Sequence, residues 1–316
     1  MPKHLLTGEE LTRTELLALL DQADDLRNEK LKNSGVSNRK DLLGRNLITL
    51  FEKPSLRTHL SFSIAIQELG GTAIESFSAH RKEEEPEDVA RVIAGYGHAI
   101  MVRTFDQSIV ERMASKSPVP IINGLTDSHH PCQILADLLT LKQKFGTIGT
   151  SSPEGLKGTI LTYIGDGNNI LHSLLLLCPF VGVDVRYACP AGFQPDPEIV
   201  NRAKARALEG GGSVTSFFDP KEAADGAHAL YTDVWTSMGF EEEEAAREAA
   251  FRGYQINEEL YALASPNALV MHCLPMVKGK EISETMAEHP NSVIFRQSEN
   301  RLHAQKAVLL YLLGAQ

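Results

Sequence analysis

The chain has 316 residues, 42% hydrophobic and 23% charged, which is ordinary globular composition and too much chain for one typical core, so two domains are expected. A net charge of −10 argues against a nucleic-acid partner and means that any anionic ligand must be met by cations gathered locally. Four widely spaced cysteines (Cys132, Cys178, Cys189 and Cys273) include no CxxC pair, and there is no signal-like segment or membrane-length apolar run, so a cytoplasmic protein without membrane contact or structural zinc is expected.

Thr7 and Glu10 are spaced as a capping box, and Leu11, Leu16, Leu17, Leu19 and Leu20 give the apolar face of a first helix. Polar residues 30–41 read as a loop. The apolar run from Asn46 to Phe51 reads as a buried strand stopped by Pro54. Ser55 then stands where a helix N-cap would, ahead of an apolar helical pattern through Leu60, Phe62, Ile64, Ile66 and Leu69 that stops at Gly70-Gly71. A strand feeding a helix through a Ser-x-Arg-Thr turn can hold an anion. Free backbone N–H groups and the positive end of the helix dipole point at one spot, Ser55 and Thr58 add hydroxyls, and Arg57 adds a planar fork suited to phosphate. An ordinary capped helix with a solvated arginine fits the same residues.

The alternation continues with a strand at 72–77, a charged loop at 80–86, a helix at 87–94 and a strand at 99–102 that ends at Arg103. A helix at 106–115 and a short strand at 120–122 follow, and Pro131 opens a long helix, 132–145. Residues 146–158, rich in Gly, Ser and Thr, are the best linker. A second series begins at 159–164, runs into Gly165-Asp166-Gly167-Asn168-Asn169 and a helix, and adds strands at 184–188, 214–217, 229–232 and 269–271. An acidic helix lies at 241–250, and the last helix is read over 301–313. Strands alternating with helices imply parallel sheets covered on both faces, with ligands beyond the carboxyl ends of the strands. The fold class is α/β, two doubly wound parallel-sheet domains joined by interdomain helices.

Several polar groups fall at those strand ends or at helix starts. Arg103 follows an apolar strand, and His130 and Gln133 stand one turn apart around Pro131. Asp233 follows a strand, with Ser237 four residues on and Gly239 allowing a tight turn, so its carboxylate could hold an amine or merely cap a helix. Cys273, inside Met271-His272-Cys273-Leu274-Pro275, could equally be a small hydrophobe. The Gly165 turn lacks the full dinucleotide fingerprint, which speaks against an oxidoreductase. No His/Cys/carboxylate set has metal-ligand spacing.

Read in order, SLRTH, HPCQ, GDGNN, DVWTSMG and HCLP resemble the ornithine carbamoyltransferase family, over nearly the whole chain. The resemblance implies transfer of a carbamoyl group from carbamoyl phosphate to the δ-amine of L-ornithine, giving L-citrulline in arginine biosynthesis, with no cofactor or metal. It implies a carbamoyl-phosphate domain at 1–140, with helix 301–316 packing back on it, and an ornithine domain at 141–300. Ser55, Leu56, Arg57, Thr58, Arg103, His130, Gln133, Cys273, Leu274 and Arg301 match carbamoyl-phosphate residues, and Asn169, Asp233, Ser237 and Met238 match ornithine residues. Arg57, Arg103, His130, Asp233 and Cys273 carry the catalytic roles. A homotrimer is implied, with His80 in a loop reaching a neighbour's site. The sequence departs from the family pattern at Leu56, His59, Ser63 and His80. The paired change at 59 and 63 reads as one ion pair removed, and Leu56 resembles branches acting on acylated ornithines.

Overall fold

Short apolar strands spaced by amphipathic helices leave few topologies, and the computed structural model shows the expected one in each half of the chain. It describes residues 2–77, 84–146, 156–236 and 241–314. Backbone packing divides the chain into two units, Met1–Gln143 with Glu299–Gln316, and Lys144–Ser298.

The first unit carries α1 (Arg13–Lys32), β1 (Asn46–Phe51), α2 (Leu56–Glu68), β2 (Thr72–Phe77), α3 (Pro86–Ala94), β3 (Ala99–Arg103), α4 (Gln107–Lys116), β4 (Ile121–Leu125) and α5 (Pro131–Phe145). The strands form one parallel sheet in the order β2-β1-β3-β4. On one of its faces Ile48, Leu50, Ile100, Val102 and Ile121 pack with Val89, Ala90, Val110 and Met113 of α3 and α4. The chain leaves β1 for β2 on one side and returns to β3 on the other. The carboxyl ends of β1 and β3 therefore flank a topological switch point, where Phe51 and Arg103 are register partners.

The second unit carries β5 (Ile160–Ile164), α6 (Asn169–Leu177), β6 (Asp184–Ala188), α7 (Pro197–Gly210), β7 (Ser213–Phe217), α8 (Pro220–Ala224), β8 (Ala229–Thr232), α9 (Glu244–Ala250), α10 (Glu258–Tyr261), β9 (Leu269–His272) and α11 (Glu284–Ala287). Its parallel sheet runs β7-β6-β5-β8-β9, with the switch point between β5 and β8. Ile164, Leu230 and Val270 pack there with Ala223, Ile256, Ile282 and Met286. The last helix, α12 (Ile294–Leu313), begins earlier than expected, so Arg301 lies well inside it.

One start was misplaced. Thr7 and Glu10 do not open a helix; the Glu10 carboxylate instead accepts from the N–H groups of Leu6, Thr7 and Gly8 at 2.8–3.0 Å and closes a turn. The capping box is Thr12 with Glu15, one motif further on, where the periodic burial of Leu16, Leu17, Leu19 and Leu20 begins. Both pairs satisfy the spacing, and tertiary burial selects the second.

Candidate active site

In the first unit, β1 delivers the chain to Ser55, whose extended backbone (φ −162°) caps α2 and whose hydroxyl accepts from the Thr58 N–H at 3.2 Å. That leaves other N–H groups of the first turn for a ligand. Thr58 is buried, and its Oγ1 accepts from Arg301 Nη2 at 3.2 Å. Arg301, itself only 2% exposed, also donates through Nη1 to Gln133 Oε1 at 2.7 Å. The Gln133 amide is oriented from behind, because its Nε2 donates to the buried Asp137 carboxylate at 2.8 Å. A helix from the C-terminal end of the chain is thereby tied to the Ser-x-Arg-Thr turn.

Charge accumulates at this point. Burial, followed by the nearby Arg301 and Arg57 charges, pushes the Arg103 guanidinium down to about 10. Its buried Nε has no hydrogen-bond partner among the described residues. Burial together with Arg301, Arg103 and Arg57 holds His130 well below 6.5, so the imidazole is neutral at neutral pH. Arg57, Arg103, Arg301 and His130 thus converge electrostatically at one helix N-terminus. Beside them, buried Lys53 pairs with Asp127 and stands 4.0 Å from the centre of the Phe105 ring.

In the second unit, Asp233 follows β8 and is 6% exposed. Its Oδ1 accepts from the Cys273 thiol and the Val234 N–H, both at 2.9 Å. Its Oδ2 accepts from Asn168 Nδ2 at 2.8 Å. Asn168 in turn caps α6 with its side-chain oxygen. The Gly165–Asn169 turn passes close to another loop: a Cβ on Gly167 would lie 2.3 Å from backbone atoms of Gln194 and Pro195. Asp166 reaches Arg247 Nη1 at 2.7 Å, and the same Nη1 donates to the Trp235 carbonyl at 3.1 Å. Burial, followed by the charges of Asp233 and Asp166, pushes the Tyr163 phenol well above 10.0.

The structure therefore brings Ser55, Arg57, Thr58, Arg103, His130, Gln133 and Arg301 together in one unit, and Asp233 with Cys273 in the other. Leu56 is 70% exposed at the first position of α2, and Asn169 is the first residue of α6. His80, Ser237 and Met238 lie outside the described residues. Sequence reading missed Asp137, Asn168, His272 and Glu281. Asn168 donates to Asp233, and Asn169, its neighbour in the GDGNN turn, opens α6. Sequence reading also found no ligand-like cluster, yet Asp233, His272 and Cys273 place ligating atoms within 4.8 Å of one another. They come from different strand ends, which spacing along the chain cannot reveal. Their ligating atoms already serve internal hydrogen bonds: His272 Nδ1 accepts from the Leu274 N–H and Nε2 faces Glu281. At position 59, His59 Nε2 stands 2.8 Å from Glu75 on β2.

Comparison with known proteins bears on both units. Residues 3–143 match the family model described as the aspartate/ornithine carbamoyltransferase carbamoyl-P binding domain, and residues 157–312 match the Asp/Orn binding domain of the same family. The ornithine carbamoyltransferase of Acidothermus cellulolyticus is 44% identical, over 100% of this chain and 98% of that protein. That of Thermosynechococcus vestitus is 46% identical, over 98% and 96%. Among solved structures, the ornithine carbamoyltransferase from Pyrococcus furiosus superposes with a TM-score of 0.92 at 40% identity, over 100% of this chain and 98% of that one. With both family domains matched in order along full-length relatives, the chain belongs to the aspartate/ornithine carbamoyltransferase family.

Proposed function

We propose that this protein transfers the carbamoyl group of carbamoyl phosphate to the δ-amine of L-ornithine, releasing L-citrulline and phosphate. The observation that carries the reading is the convergence of three arginines and a neutral histidine at the N-terminus of α2, beside the switch point of the first sheet. A phosphate dianion matches the positive charge gathered there. The Ser55–Thr58 turn and Arg57 hold the phosphate oxygens, with Leu56 contributing backbone. Arg103 and Arg301 complete the cradle, and Gln133 fixes Arg301.

The δ-amine attacks the carbonyl carbon, negative charge grows on the carbonyl oxygen, and the bond to phosphate breaks with its electron pair leaving on phosphate. His130, Arg103, Arg57 and Thr58 donate to the developing charge, which is electrostatic stabilisation by preorganised groups. Asp233, with Cys273 beside it, orients the ornithine amine and takes the proton that the nitrogen loses as it attacks, and Leu274 lines the same segment. Asn169, Ser237 and Met238 complete the ornithine contacts. Fixing both substrates removes an entropic barrier from the step.

The same reading gives a homotrimer acting in arginine biosynthesis in the cytoplasm, with His80 serving a neighbour's site. Self-association is supported by an apolar stripe along α2, where Leu56, Leu60 and Ile64 are 70%, 47% and 38% exposed at successive four-residue steps. A reducing location is supported by four free cysteines, and no helix among the described residues is long and apolar enough to cross a membrane. Leu56 motivates a second reading in which the amine is N-acetylornithine. The test is citrulline and acetylcitrulline formation from carbamoyl phosphate with each amine in parallel. Ornithine is expected to be the better substrate, and preference for the acetylated amine would reassign it.

A further inference from the structure

Glu281 is 1% exposed, and it pairs with no lysine or arginine among the described residues. Burying a carboxylate without a cation is costly, so its retained hydrogen bonds show what it holds. A single oxygen, Oε1, accepts from the Val277 N–H and meets His272 Nε2 at 3.2 Å. His272, at the end of β9, accepts the Leu274 N–H at Nδ1 over 2.8 Å. An acceptor at Nδ1 carries no proton, so the ring proton of the neutral imidazole sits on Nε2 and is donated to Glu281. The backbone at the other edge of His272 is fixed too: its N–H donates to Gln297 Oε1 at 3.0 Å, and Gln297 is held by the Tyr231 hydroxyl.

The segment clasped this way is strained. Leu274 has φ +62°, a left-handed conformation that a branched side chain adopts only when its surroundings over-determine it. Its N–H is held by His272 and the N–H three residues later by Glu281, so one carboxylate secures both ends of the turn. Cys273, between His272 and Leu274, is thereby aimed at Asp233.

We propose that Glu281 is a positioning residue for the transfer reaction. By fixing the His272 tautomer and the Val277 N–H, it holds Leu274 in its strained conformation and keeps the Cys273 thiol on the Asp233 carboxylate. The proposal rests on the carbamoyl-transfer reading of this site and deepens it by adding a group that never touches substrate.

The test compares Glu281→Gln and Glu281→Met with the parent enzyme, measuring kcat and KM for each substrate, inorganic phosphate affinity and thermal unfolding. Glutamine offers the same acceptor oxygen to both donors and is expected to keep most of the activity. Methionine fills the volume without an acceptor. It is expected to lose at least about tenfold in kcat/KM for ornithine, as outer partners of an active-site group commonly do. Phosphate affinity should be unchanged in both variants. A folded Glu281→Met enzyme with parental ornithine kinetics, or a Glu281→Gln enzyme as impaired as the methionine variant, would overturn the proposal. If the methionine variant does not fold, the ring-nitrogen NMR signals of His272 in the parent decide: a proton on Nε2 supports it and a proton on Nδ1 refutes it. Failure of the parent to make citrulline would count against the proposed reaction and would leave the tautomer measurement standing.

Discussion

The two candidate sites gather different groups, arginines around His130 in the first unit and the Asp233 carboxylate in the second, and in each a buried group feels them. In the first unit, burial and three arginines drive His130 well below 6.5. In the second, burial and two aspartates drive Tyr163 well above 10.0. They also differ in how well they are satisfied. Asp233 has three donors at 2.8–2.9 Å, whereas Arg103 is buried with Nε lacking an acceptor and two like charges nearby. The first site gathers cationic donors, which suit an anion. The second is a finished hydrogen-bond network whose carboxylate suits an amine. This division matches the two substrates of the proposed reaction: an anion bound by a preformed cluster, and a cationic amino acid oriented by a carboxylate.

The sharpest way to break the contrast is to delete a donor from the first site. Arg57→Ala is expected to lower kcat about 100- to 1000-fold, the usual cost of one preorganised donor. Near-parental turnover would remove Arg57 from the chemistry. In the second unit an effect on stability is expected. Asp233→Ala strands the Asn168 amide, the Cys273 thiol and the Val234 N–H, so besides losing activity it should destabilise the fold by about 1–3 kcal/mol in denaturant titrations.

A smaller effect of unusual sign is expected at Arg103. Replacing it with Met removes a charge carried at a cost below pH 10, so the ligand-free variant should unfold at the same temperature as the parent or higher, while phosphate no longer stabilises it. A clear drop in its unfolding temperature would show that the cluster is not strained. The smallest effect is a pH dependence. With the folded pKa of His130 depressed, the unfolded chain takes up a proton near pH 6.5 and the folded chain does not, so this group's contribution to stability falls as pH drops through 6.5. NMR titration of the His130 ring should show no ionisation near that pH without ligand, and an upward shift when phosphate is added.

Much of this was legible in the sequence because it depends on local pattern. The Ser55 cap follows from a strand, a proline stop and a helical periodicity, and Arg103, Asp233 and Cys273 stand out because they terminate or follow apolar strands. What escaped was lateral. Arg301 was singled out by resemblance alone, and its bonds to Thr58 and Gln133 join residues 243 and 168 positions apart. Asp137 and Glu281 gave no signal, since a carboxylate in an apolar context reads as a surface residue until the fold buries it. The Thr7 box failed for the reverse reason: a valid local motif was not supported by burial.

The division of labour is tested most directly by calorimetric titration of inorganic phosphate into the parent enzyme, Arg57→Ala and Asp233→Ala. Phosphate is expected to bind the parent and the Asp233 variant with similar affinity and to lose most of its binding in the Arg57 variant. Equal binding in the parent and the Arg57 variant, or loss of binding in the Asp233 variant while it remains folded, would contradict the assignment of the anion to the first unit.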